Sequence, residues 1–373
     1  MSQEIAIFFQ IYLACVVSVV LIGFLLHLLK TRRFLKKSKS TIDIADLTVL
    51  IPFRNEEKRI GVLLESILQL DQLPSEFVFI DDHSDDGTVE LIKKSLQGLP
   101  YKVLSAPKKM SGKKSALRFA TKDCSTEYIL TWDADVYFKA DYFENLSKLP
   151  EADMYLLPAV LKASKPIEYL YEIDVVLANA INTGLSGISR PIMASGANFL
   201  YKRNAFNEVD DLASHAHMAS GDDTYLLRDF RNHEKDVRVQ SGLNCAIFTE
   251  TPQSFREFID QRLRWVSKTT DIKDTLGTVV AFSQFVLTLA FFGLLIYLGI
   301  SSDWTWFTYV FAGKIAIDLL LFLPFFFRMR RFTTWLLIPL YEVLFLFYSL
   351  LIFILMFTYR PKWKGREIHS KKS

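Results

Sequence analysis

Ile5 to Leu29 is an almost unbroken apolar run of about 25 residues, and roughly 20 suffice for a helix to cross a bilayer. Three more such stretches close the chain, at about Val279–Ile300, Trp304–Phe327 and Trp335–Phe357. A chain bounded in this way has its middle tethered to a membrane from both ends. The first run lacks the basic start and small-residue cleavage site of a signal peptide, so it reads as a retained anchor. Lys30, Arg32, Arg33, Lys36, Lys37 and Lys39 follow it, and the positive-inside rule makes that flank cytoplasmic with the N-terminus outside. The Ser301-Ser302-Asp303 link carries no cation and reads as outside, whereas Arg328, Arg330 and Arg331 read as inside. Parity then puts the tail outside, against its Arg360, Lys362, Lys364, Arg366, Lys371 and Lys372. Either the last stretch, with Pro339 and Glu342 in its first half, is partly re-entrant, or the charge rule fails there. The first alternative is preferred.

Lys314 and Asp318 lie one helical turn apart inside the second closing stretch, and Glu342 lies inside the last. Charges in such segments are costly and face a partner or a cavity. A self-satisfying Lys314–Asp318 ion pair is the simpler reading; the wall of a path for a polar or lipid-linked acceptor is the functional one. The net charge of +3 is too small for a nucleic-acid partner. The 3 Cys are far apart and show neither disulfide nor metal spacing, which fits a reducing compartment.

Between the apolar ends the pattern alternates strand and helix. Leu47–Phe53, Phe77–Ile80 and Lys102–Ser105 read as strands, and Asn55–Leu70, Thr88–Leu96 and Lys114–Ala120 as the helices that follow them. A fourth strand, Ile129 onward, ends at Asp133. Such alternation implies a parallel, Rossmann-like sheet with right-handed crossovers. The Ser254–Thr269 segment is amphipathic and basic, as expected of a helix at a membrane interface.

Chemistry-bearing residues gather at the expected strand ends. Asp133-Ala134-Asp135 puts two carboxylates on one face at the C-terminal edge of a strand, where open α/β sheets bind ligands. Mg²⁺ favours one or two carboxylates plus phosphate oxygens. Asp82, at the end of the second strand, is placed to accept a hydrogen bond from a base or ribose, while Asp85 and Asp86 suit a turn and cap. Gly112-Lys113 opens a helix and offers a cation and backbone N–H groups to phosphate, without the full spacing of a P-loop. Asp222-Asp223 starts another helix; capping accounts for one acid, and the second is a candidate general base beside a sugar hydroxyl. Gln261-Arg262-Leu263-Arg264-Trp265 offers Arg264 as a clamp for diphosphate and Trp265 as an apolar platform for a sugar.

Taken together these blocks resemble the membrane-bound family 2 glycosyltransferases of GT-A fold, such as ceramide glucosyltransferase and the cellulose and hyaluronan synthases. The resemblance runs from about Thr48 to Trp265. Pro52-Phe53-Arg54-Asn55-Glu56 is similar to the family's Pro-x-Tyr-Asn-Glu, with Arg54 where an aromatic is common. The resemblance implies nucleotide contacts at Pro52, Arg54, Glu56, Asp82, Lys113, Asp133 and Arg264, a metal ligand at Asp135, and Asp223 as base with Asp222 beside it. Gln261 to Trp265 agrees with Gln-x-x-Arg-Trp in full, and Gly196, in Ser195-Gly196-Ala197-Asn198, falls in the segment lining the acceptor side with Gln261 and Trp265. Trp363-Lys364-Gly365-Arg366 is similar to the ending of small members of the group.

The organisation expected is an anchor with basic flank at 1–40, an α/β GT-A domain at 41–252, an interface helix at 253–275, a membrane region at 276–360 and a basic tail at 361–373. The resemblance implies an inverting enzyme using Mg²⁺ or Mn²⁺ that moves a sugar from a nucleotide-sugar, UDP-linked by preference, to a lipid or lipid-linked acceptor. Its catalytic domain would lie on the cytoplasmic side of a plasma or inner membrane. A processive polysaccharide synthase of the same family is the alternative, though about four spans are few for a polymer channel. A non-catalytic membrane scaffold is a third.

Overall fold

The Leu47–Phe53 strand is buried along its whole length, as a parallel strand covered on both faces must be. It heads the strand order β1 (Leu47–Phe53), β2 (Glu76–Asp81), β3 (Tyr101–Ser105), β4 (Tyr128–Trp132), β5 (Val136–Tyr137), β6 (Met154–Leu156), β7 (Ala159–Lys162), β8 (Asn198–Lys202), β9 (Val237–Val239) and β10 (Ile247–Glu250). The computed structural model describes residues 2–107, 112–210, 222–271, 274–359, 362–363 and 366–367, giving backbone alone for 2, 222, 267–271 and the last four. Lys364 and Gly365, and the side chains of Trp363 and Arg366, therefore lie outside the described residues.

By internal contacts the chain divides into two units. One holds Thr31–Lys162 and Met193–Glu250. Its main sheet has the order β3-β2-β1-β4-β8-β6-β9, and a smaller one the order β5-β10-β7. β3, β2, β1 and β4 are parallel neighbours, whereas β8 runs antiparallel to both β4 and β6. Side chains alternate across the pleat. Val49, Ile51, Phe77, Phe79, Leu130 and Trp132 join one buried cluster, and Leu50, Val78, Ile80 and Ile129 join another on the opposite face. Each large side chain so buried contributes about 1.5–3 kcal/mol at most.

The helix expected from Asn55 begins only at Gly61 and ends at Leu68. Asn55 has φ +52°, in the left-handed region, and its amide exchanges hydrogen bonds with Asp85 at 2.7 and 3.0 Å. That tie holds residues 54–60 as turns. The Asp-x-Asp expectation also needs correction. β4 ends at Trp132 and β5 begins at Val136, so Asp133 and Asp135 sit in the turn between strands rather than on a strand face.

The other unit holds Met1–Lys30, Ala163–Ile192 and Thr251–Pro361. Among the described residues, four helices are long and apolar enough to cross a membrane: Gln3–Lys37, Thr275–Ile300, Trp304–Arg328 and Ile338–Thr358. The last stretch is divided, because a short helix, Phe332–Leu336, precedes it and Pro339 stands in its first turn. Pro is well placed there, since a first-turn N–H has no partner within the helix.

The Pro166–Ile188 helix packs within this unit although it lies in sequence between β7 and β8. Its contact with the N-terminal helix is backbone against backbone. A Cβ on Gly187 would stand 1.8 Å from the Gly23 carbonyl oxygen, and one on Gly184 would stand 2.0 Å from that of Val19. Small residues at such contacts allow close approach of helices in apolar surroundings. Gly187→Leu is expected to force the helices apart and lower stability by about 1–3 kcal/mol. Thermal unfolding in detergent checks this, and an unchanged midpoint would contradict the contact.

Candidate functional site

Asp82 follows β2 directly and is 3% exposed. Its Oδ2 accepts the Gly112 N–H at 3.1 Å. Gly112 has φ +95° and precedes the Lys113–Asp123 helix, a backbone state that favours glycine. Burial pushes the Asp82 carboxyl above its ordinary range, while the Gly112 N–H and the Arg54 guanidinium favour its ionised form. One residue on, Lys113 Nζ donates to Asp133 Oδ1 at 2.6 Å and to the Gly196 carbonyl at 3.0 Å. The Gly196 N–H in turn donates to Asp223 Oδ2 at 2.9 Å. Asp82, Gly112, Lys113, Asp133, Gly196 and Asp223 thus form one continuous run of contacts, although they span more than a hundred positions of sequence.

The first block is tied to the same edge. Pro52 lies in β1, and the Glu56 N–H donates to Thr88 Oγ1 at 2.9 Å. The Glu57 N–H donates to Asp86 Oδ2 at 3.1 Å, and Asp86 Oδ1 accepts the Thr88 N–H at 3.1 Å. The turn after β2 is therefore held by the turn after β1, which accounts for the run of acids there.

Asp133 and Asp135 have separate cations. Asp135 Oδ2 is 3.3 Å from Arg59, whose Nε also donates to Glu56 at 3.0 Å. Arg59 lies outside the sequence blocks, and only its place three residues after Glu56 marks it. Among the described residues no group of three or more His, Cys, Asp or Glu side chains is gathered to hold a metal. Two carboxylates fit a divalent cation that takes its other ligands from diphosphate oxygens rather than from an all-protein cage.

Asp223 is 8% exposed and opens the Asp222–Asn232 helix; the Asp222 side chain lies outside the described residues. Asp223 also lines a pocket with Lys114, Thr131, Tyr225 and Asp229. Lys114 there sits over the Tyr225 ring at 4.6 Å. Behind Gly196, Asn198 is fully buried, donating to the Pro158 and Cys245 carbonyls at 2.8 and 2.9 Å and accepting from Tyr142 at 2.6 Å. These bonds fix the start of β8 and hence the Gly196 peptide.

Gln261, Arg264 and Trp265 belong to the other unit, on the Phe255–Asp271 helix. Trp265 is 38% exposed, and its ring is covered by the guanidinium of Arg262 at 4.2 Å.

Residues 48–210 match the family model described as glycosyl transferase family 2. A 4,4'-diaponeurosporenoate glycosyltransferase of Staphylococcus aureus is 36% identical over 116 residues, covering 31% of each chain. The match thus spans about a third of that relative. A poly-beta-1,6-N-acetyl-D-glucosamine synthase of Staphylococcus aureus is 24% identical over 71% of this chain and 67% of its own. In structure, a mannosyltransferase of Pyrobaculum calidifontis, described in complex with GDP-Man and Mn²⁺, superposes with a TM-score of 0.56 at 17% identity. That superposition covers 91% of this chain and 98% of the mannosyltransferase, and it shows a shared fold.

Proposed function

This chain carries a family 2 glycosyltransferase domain of GT-A fold and is a transferase, and on that premise we propose that it moves one sugar from a UDP-sugar to a lipid or lipid-linked acceptor with inversion at the anomeric carbon. The observation that carries the reading is the unbroken contact run from Asp82 through Lys113 and Asp133 to Gly196 and Asp223. It joins a buried carboxylate suited to a base, a cation suited to phosphate and a carboxylate suited to proton transfer. Pro52, Arg54 and Glu56 border the nucleotide end.

In the proposed reaction the acceptor hydroxyl oxygen attacks the anomeric carbon and the bond to the diphosphate oxygen breaks. The electron pair leaves with the nucleoside diphosphate, and Asp223 takes the hydroxyl proton. Asp223 suits the task because it is largely buried and is oriented by the Gly196 N–H. Asp222 is the neighbouring carboxylate in this proposal. Asp135, with Asp133 beside it, would hold Mg²⁺ or Mn²⁺, which supplies positive charge to the departing diphosphate. Lys113 and Arg264 add charge of the same sign. Gly196, Gln261 and Trp265 serve the acceptor side. The helices long and apolar enough to cross a membrane support this reading, since an apolar acceptor resides there.

Asp135→Ala is expected to abolish metal-dependent binding of UDP, measured calorimetrically with Mn²⁺. An unchanged titration removes Asp135 from the metal site. The reaction itself is tested with a panel of UDP- and GDP-sugars, purified enzyme, Mn²⁺ or Mg²⁺ and a total lipid extract. One added sugar by mass spectrometry supports the proposal. A ladder of products supports the polysaccharide synthase reading, which the relative aligned over 71% of this chain favours.

A further inference from the structure

Within the Gln261–Trp265 segment one cation is turned inward. Arg262 is 4% exposed, and a guanidinium stays charged in any protein environment, so its burial demands a partner. The partner is Asp174 on the Pro166–Ile188 helix, with Nε to Oδ2 at 2.8 Å. Asp174 also accepts from Tyr341 at 2.8 Å and from Tyr348 at 3.5 Å, both on the Ile338–Thr358 helix. One carboxylate therefore fastens three helices together. Tyr171, stacked on Phe258 at 4.2 Å, reinforces the same junction, and Phe258, Ile259, Leu263 and Ile352 bury the surrounding apolar surface.

Arg262 uses its edge for Asp174 and its face for an aromatic ring. The guanidinium carbon lies 4.2 Å from the Trp265 ring centroid and 4.9 Å from that of Phe258. Arg262 and Trp265 are three residues apart on one helix, which makes them neighbours on its surface. A Lys at 262 would retain a charge for Asp174, but it has no planar group to lie along the indole. The combination is therefore specific to Arg.

We propose that Asp174 and Arg262 are positioning residues that fix the Trp265 indole in one orientation. This rests on the reading of Trp265 as an acceptor-side platform. A platform that turns freely loses rotamer freedom on each binding event; one already held by a guanidinium does not. The pair also explains why a charged residue occupies the buried side of a helix whose exposed side carries the chemistry.

The test uses the full chain in detergent with 5-fluorotryptophan, the Trp265 ¹⁹F resonance being assigned by its loss in Trp265→Phe. Wild type is expected to give one narrow line. Arg262→Lys is expected to broaden or split that line and lower transfer to the lipid extract at least tenfold, with the unfolding midpoint and Mn²⁺-UDP affinity near wild type. A narrow, unshifted line in Arg262→Lys overturns the positioning role. Asp174→Asn/Arg262→Gln, which removes both buried charges together, is the second arm and is expected to give the same spectrum as Arg262→Lys. Trp265→Ala separates the two readings. If it leaves transfer unchanged, the platform reading fails whatever the spectrum shows. If it abolishes transfer while Arg262→Lys leaves both line and transfer intact, only the positioning proposal fails.

Discussion

Asp223→Asn is expected to lower turnover by about 10²–10⁴-fold while Mn²⁺-dependent UDP binding stays near wild type. Asn has the shape of Asp, and its side-chain oxygen still accepts the Gly196 N–H that Asp223 Oδ2 accepts at 2.9 Å. The contact run back to Lys113 and Asp133 is thereby preserved. What disappears is the capacity to take a proton from the acceptor hydroxyl. A fall in kcat without a matching loss of nucleotide affinity is the signature of a group acting only in the transition state. Full activity in Asp223→Asn would move the base elsewhere, with Asp222→Asn the next variant to measure.

Lys314→Met is expected to cost about 3–5 kcal/mol of stability, seen as a large drop in the unfolding midpoint in detergent. Lys314 is 7% exposed and Asp318 2%. Lys314 donates to Asp318 Oδ2 at 2.8 Å and pairs also with Glu342, and Tyr12 donates to the other oxygen of Asp318. Its ammonium further lies 5.1 Å from the Phe291 ring. Groups from four helices thus meet at one cation. Met fills the same volume but leaves two carboxylates facing each other in apolar surroundings. Lys314→Met/Asp318→Leu/Glu342→Leu removes all three charges and should recover much of the loss, since replacing a whole buried charge set by apolar groups is often neutral. A single substitution with no effect would show that the cluster contributes nothing to cohesion.

The ion pair between Lys314 and Asp318 was legible because a four-residue spacing in an apolar helix leaves few other partners. The participation of Glu342 and Tyr12 was not, because only tertiary packing brings distant helices together. β1, β2 and β4 were legible for a similar local reason: parallel strands buried on both faces read as runs such as Leu47–Phe53. β6, β7, β9 and β10 have three or four residues each, too few for a period to emerge. Pro166–Ile188 escaped separate notice because Glu168, Glu172 and Asp174 interrupt its apolar residues. Those acids have local reasons: Glu168 accepts from Ser164 and Lys165, and Glu172 pairs with Arg331 at 2.7 Å. In the candidate site, Asp82, Lys113, Asp133 and Asp223 stood out through their blocks, whereas the joints from Asp82 to Lys113 and from Lys113 to Asp223 run through peptide groups of Gly112 and Gly196. Backbone donors and acceptors exist at nearly every position, so no residue letter announces which ones are used.

The glycine contact between the Pro166–Ile188 helix and the first helix bears on the order in which the chain emerges during synthesis. That helix is made after β7 but before β8 and β9, so its docking partner at Gly23 already exists while the main sheet still lacks strands. A shortened protein that begins after the first helix would emerge with the Gly184–Gly187 face bare and nothing to cover it. Trimming the first helix is therefore a poor route to a well-behaved fragment, and aggregation of such a fragment would reflect a missing neighbour rather than a faulty sheet.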